Sequence, residues 1–272
     1  MSIEAFPTET PSIAVTERVS IRELMDLLIE ICRVAIECGC SSNRVENLVI
    51  RLGDAWGYHV DAAALPTAVW LNAKGRGQHL LELVRVRKWS INLDRLALLS
   101  DLVDDVEGHR MYLDEAVQKL KVLSTSPSPY PRWLTYAAGG GSSIALTYSN
   151  GGRGVELLVA VLLGLVCQLC FQFFASDNRR FLAEFFSAMS VALIASVAAR
   201  YYPNPNLPRL IIGGLISLFP GLVFVNSMHE VAQKNLSSGS ARLFEACMIV
   251  VNLSFGVAAA IGFTHYFSRV IQ

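Results

Sequence analysis

The chain has 272 residues with 23 Lys/Arg against 23 Asp/Glu and 53% hydrophobic residues, and its mean hydropathy is +0.41. A soluble domain of that length would have no core large enough for so much apolar surface, so lipid is the natural place for it. The zero net charge hides a division: residues before Arg132 hold 14 Lys/Arg and 18 Asp/Glu, and the remainder holds 9 and 5.

The chain reads as an integral membrane protein, with a cytoplasmic α+β N-terminal domain followed by an α-helical bundle of about five transmembrane helices. Residues 1–19 mix Pro, Thr, Ser and Glu without apolar periodicity, which predicts a disordered tail. Residues 20–123 form the α+β domain. Ser20 and Glu23 make a capping-box pattern, followed by Leu24, Leu27, Leu28, Ile31, Val34, Ala35 and Cys38 at helical spacing, with Gly39 as the stop. A second helix starts near Ser42 or Asn43, carries Val45, Leu48, Val49, Leu52 and Trp56, and ends at Gly57. Residues 59–64, 67–73 and 78–86 read as strands, the last two joined by the glycine-bearing turn Lys74-Gly75-Arg76-Gly77. Arg85 and Arg87 would share a face of the last strand. Leu96, Leu99, Leu102, Val103 and Val106 mark a third helix.

Residues 124–132, rich in Ser and Pro, are the linker, and 133–272 the transmembrane domain. Polar breaks divide it into apolar segments at 133–149, 154–175, 181–202, 210–228 and 241–267, most of them near the roughly 20 residues that cross a bilayer core as a helix. Arg132, Arg179, Arg180, Lys234 and Arg242 fall on one side, and Arg153, Arg200, Arg209 and Arg269 on the other, a slight bias only. The N-terminus carries no basic start and apolar core of a secretory signal, which places it in the cytoplasm. Cys32, Cys38 and Cys40 are expected as free thiols, and the Cys167/Cys170 pair as helix packing.

No phosphate-binding loop, GxSxG, HExxH or paired CxxC at zinc spacing is present, so neither enzyme chemistry nor a cofactor or metal is expected. Gly139-Gly140-Gly141-Ser142-Ser143 lies in an apolar segment, where small residues let helices approach closely. Gly213, Gly214, Ser254, Gly256 and Ala258 offer similar faces, within the chain or between subunits.

Charges in spanning segments ask for a reason. Glu245 lies a turn from Arg242, and Glu184 follows Arg179 and Arg180, so both have an interfacial ion pair available, with a pathway role open for Glu184. Pro220 and Gly221 fall near the middle of the fourth segment, where proline displaces the carbonyl of Ile216 and predicts a kink or break. Broken helices often line polar cavities in transporters, and Asn226 and Glu230 share a face beyond the break. Asn226 is expected to hydrogen-bond a solute. Glu230 is expected to couple protons or gate, because burial makes a carboxylate's charge costly.

This stretch resembles the signature of the threonine/serine exporter family, in particular its split type, in which PG is followed by Asn, an acidic residue four later, and G-x-A-R. Here those positions are Pro220, Gly221, Asn226, Glu230, Gly239, Ala241 and Arg242, with Gly239 and Arg242 assigned to gating or an interface. Tyr130-Pro131-Arg132-Trp133-Leu134 and Gly39, Val45, Glu46, Leu52, Gly53 and Gly57 extend the resemblance over almost everything after the tail. Cys40-Ser41 departs from it. The resemblance implies export of small carboxylate metabolites across the inner (plasma) membrane, threonine and serine in fused members and succinate in the split type. It also implies a second small membrane subunit; a homo-oligomer is the further arrangement that the small-residue faces offer. The competing reading is a membrane-anchored ligand-sensing or interaction module without transport.

Overall fold

The computed structural model describes residues 19–86, 91–126, 130–175, 179–201 and 206–271. Residues 1–18 of the expected tail, 127–129 of the linker and Arg87 lie outside them. The chain divides into two compact units: Met1–Pro127 with His229–Gly239, and Ser128–Met228 with Ser240–Gln272.

In the first unit, helix α1 (Ile21–Glu37) opens with the complete Ser20/Glu23 capping box and buries ten side chains, Leu24, Leu27, Leu28 and Ile31 among them. It ends in a Schellman arrangement, with Gly39 at φ 81° and the Gly39 and Cys40 amides donating to Ile36 and Ala35. Helix α2 (Ser42–Ala55) buries Val45, Leu48, Val49 and Leu52, and Gly57 turns the chain at φ 73°. Strands β1 (His59–Leu65), β2 (Ala68–Gly75) and β3 (Gln78–Arg85) form an antiparallel sheet in the order β1-β2-β3. Val69, Leu71 and Ala73 of β2 are buried, whereas Trp70 is exposed beside its register partner Leu83, the alternation of a half-covered sheet. The β2–β3 turn has positive φ at Arg76 and Gly77, the two-residue geometry that suits strand twist.

Helix α3 (Leu93–Glu107) is the expected third helix, and α4 (Leu113–Thr125) is one the pattern did not announce. Its apolar stripe amounts to Leu113, Ala116 and Leu120, too few positions to stand out among Lys119, Lys121 and Gln118. Packing of α1 against the sheet and the other three helices makes it the centre of this core. Burial and neighbouring Cys40 push the Cys32 thiol up to about 12, so it is an inert core group.

The second unit contains α5 (Arg132–Ser149), α6 (Val155–Phe174), α7 (Arg180–Tyr201), α8 (Leu207–Leu215), a 3₁₀ turn (Ile216–Leu218) and most of α9 (Gly221–Ala232) and α10 (Leu236–Ile271). Among the described residues α6, α7 and α10 are each long and apolar enough to cross a membrane, and the bent pair α8–α9 makes up to four spans. The expectation was about five. The difference is α5, whose Gly139–Gly141, Ser142, Ser143, Thr135 and Thr147 dilute its apolar character. Leu158, Leu162, Phe173, Phe255 and Phe263 are exposed on these helices, a surface suited to lipid.

Small residues bring the helix backbones together. A Cβ on Gly164 would lie 2.4 Å from the Gly139 carbonyl oxygen, and one on Gly256 would lie 2.5 Å from that of Phe185. Gly213 and Gly214 likewise meet Thr147, Val191 and Leu163 within the unit, whereas Ser254 and Ala258 line an open groove.

Candidate solute pathway and its charged groups

The break falls where Pro220 predicts it. The α8 arm and α9 are bent by 69°. Pro220 has no amide to offer the Ile216 carbonyl, which instead accepts from the Phe219 amide at 3.2 Å in the 3₁₀ turn. The Pro220 carbonyl then accepts from Phe224 at 2.9 Å and starts α9, whose first-turn amides at Leu222 and Val223 precede any intrahelical acceptor. Asn226 is half-buried two turns on. A groove of about 530 Å³ beside the break is lined by Ile212, Leu215, Ile216, Phe219, Leu253 and Val257, so it is apolar.

Charged groups of this unit gather at its two ends. At one, Glu184 is buried, its Oε1 is 3.3 Å from Arg180 Nε, and its Oε2 accepts from Asn252 Nδ2 at 3.2 Å. Asn252 also donates to the Phe181 carbonyl at 2.7 Å. Glu245 lies within electrostatic reach of Arg180, Arg242 and Glu184, and Arg242 is itself buried. At the other end Glu156 is buried at the start of α6. It accepts from Arg209 at 2.9 Å and from the Asn206 amide at 3.2 Å, joining α6 to the start of α8. Sequence reading passed over Glu156, although an acidic residue opening an apolar helix was a signal. Replacing Arg209 by Leu should strand that buried carboxylate and cost about 3 kcal/mol, seen as a lower unfolding temperature in detergent; an unchanged temperature would show the pair to be solvated.

Glu230 belongs to the first unit with His229–Gly239, whereas Asn226 belongs to the second. Fully buried, Glu230 accepts from the Ser42 amide at 2.8 Å through Oε1. Helix α2 has no side-chain cap of its own at Ser41, so a carboxylate 188 residues away in sequence caps it. Ser42 and Ser238 share a hydrogen bond at 2.5 Å, Asn43 donates to Gln233 at 2.6 Å, and Gln233 meets His229 at 2.9 Å. Gly239 is buried, its amide bonded to the Asn235 carbonyl at 3.0 Å. Nothing local in the sequence marks Ser42 or Ser238 as partners of Glu230. Further along α2, Arg51 is tied to Asp104 and Glu107. The hydrogen bond from Arg51 holds the half-buried Glu107 carboxyl below the usual carboxylate range, so the tie is complete at neutral pH and weakens only as acid protonates Glu107.

Long apolar helices packed through glycines, one of them broken, with ion pairs at their ends, define a polytopic helical membrane protein. Residues 26–264 match the threonine/serine exporter family, and the chain belongs to it. The family is one of membrane exporters, not of enzymes. A Mycobacterium tuberculosis protein named "Probable threonine/serine exporter" is 27% identical over 63% of this chain and 32% of its own length. An uncharacterised Schizosaccharomyces pombe protein is 23% identical over 85% of this chain and 32% of its own. Pheromone-regulated membrane protein 10 of Pichia sorbitophila is 26% identical over 61% and 17%. The chain thus spans a third or less of these relatives. No solved structure matches it.

Proposed function

We propose that this chain is a solute-exporting subunit of an inner (plasma) membrane, with its α+β unit in the cytoplasm. Its solutes are small carboxylates, either threonine and serine or a succinate-like dicarboxylate. The observation that carries this reading is the 69° break at Pro220. A helix that restarts inside the apolar region turns its first free amides toward anionic groups, and carboxylates suit such a terminus. The name borne by the mycobacterial relative supports the same class of solute.

In this reading Asn226 orients the solute beyond the break, and Glu184, Arg242 and Gly239 shape the ends of the pathway. Glu230 is the gate: its bond to the Ser42 amide holds the end of α9 at the start of α2, and protonation would weaken that bond and couple opening to protons. A second membrane subunit completes the exporter, as the resemblance to the split type of the family implies.

Efflux of labelled threonine, serine and succinate from preloaded cells tests the proposal. Cells with the gene should release at least one of them several-fold faster than cells without it; equal release of all three would contradict it.

A further inference from the structure

We infer that the polar pocket on the exposed face of α2 binds a small carboxylate, with Arg44 as the group that receives it. The pocket encloses about 390 Å³ within the first unit, at the small end of ligand sites, which suits a solute of few heavy atoms. Arg44, Asn47, Leu48 and Arg51 reach it from one stripe of α2, Ser100 and Asp104 from α3, and His229 and Gln233 from the end of α9.

Its two arginines are not equivalent. Arg51 is neutralised by Asp104 and Glu107. Arg44 donates to the neutral Ser100 hydroxyl at 2.8 Å, and among the described residues no carboxylate lies within ion-pair distance of it. A guanidinium offers five donors in a planar fork that matches a carboxylate, so this cation has most of its binding capacity left. Asn47 and Gln233 supply amides for a hydroxyl, amino or second polar group, and Leu48 gives an apolar floor. Because His229 and Gln233 form one wall, an occupant bridges α2 to the segment that contains Glu230. The inference concerns binding, and stands or falls separately from export.

The test is calorimetric titration of the purified full chain in detergent with succinate, L-threonine and inorganic phosphate, alongside hydrogen exchange of the peptide containing Gln233. Succinate or threonine should bind saturably and slow that exchange. Arg44→Gln should weaken binding by about tenfold or more, Arg44→Lys by less, and Arg33→Gln on α1, outside the pocket, not at all. Failure of both carboxylates to bind, binding of phosphate alone, or undiminished binding by Arg44→Gln would each overturn it.

Discussion

Replacing Glu230 by Ala should speed hydrogen exchange of the Ser42 amide by about a hundredfold, equivalent to about 3 kcal/mol of local stability. The amide lies at the start of α2 and takes its acceptor from Glu230, whose side chain is fully buried. Removing the carboxylate leaves a buried donor without its acceptor and takes negative charge from a helix N-terminus, two losses of the same sign. Glu230→Gln keeps a carbonyl oxygen at that position and should cost about tenfold only. If Ala and Gln behave alike, and like wild type, Glu230 does not cap α2, and the gating role falls with it.

The second large effect is expected from a single methyl group. Gly164→Ala would put Cβ 2.4 Å from the Gly139 carbonyl oxygen and 2.3 Å from Ser143 Oγ. The first obstacle is backbone and cannot rotate away, so α5 and α6 must separate, which places the cost near the top of the overpacking range, about 3 kcal/mol. Thermal unfolding in detergent should show a midpoint lower by roughly 5–10 °C. Gly141→Ala is the control in the same stretch: a Cβ there meets nothing within 4 Å, and it should leave the midpoint unchanged or raise it slightly.

Much of this architecture was legible because it is written in local chemistry. The Ser20/Glu23 box, the positive-φ stops at Gly39 and Gly57, the glycine-bearing turn before Gln78 and the break at Pro220 each follow from the conformational limits of a residue or two, although Lys74 and Gly75, expected in that turn, belong to β2. Helix α4 escaped because three buried positions in thirteen residues make a weak periodic signal. The expected count of about five exceeds the three or four helices that are long and apolar enough to cross a membrane, because residue counting treats the glycine- and serine-rich α5 like its neighbours, although its small residues serve close packing.

The charged groups divide along the same line. Glu184 with Arg180 was visible as an i, i+4 pair, whereas its bond from Asn252 joins residues 68 apart in sequence. Glu230 and Asn226 were read as one face of one helix, and helical geometry does place them so. Which neighbours Glu230 acquires is decided by the packing of His229–Gly239 with α2, which no spacing rule encodes. Arg44 was passed over for a similar reason: the Ser100 hydroxyl it meets is one that α3 brings beside α2.

In the proposed function, the proline break in the α8–α9 segment is what makes the membrane unit a path for solute. The most direct measurement is efflux of labelled threonine, serine and succinate from cells lacking the gene and complemented with either wild type or Pro220→Ala at matched membrane levels. Alanine supplies the missing amide to the Ile216 carbonyl and favours a continuous helix. Wild type should restore release and Pro220→Ala should leave it at the level of the deletion; full restoration by Pro220→Ala would contradict the account.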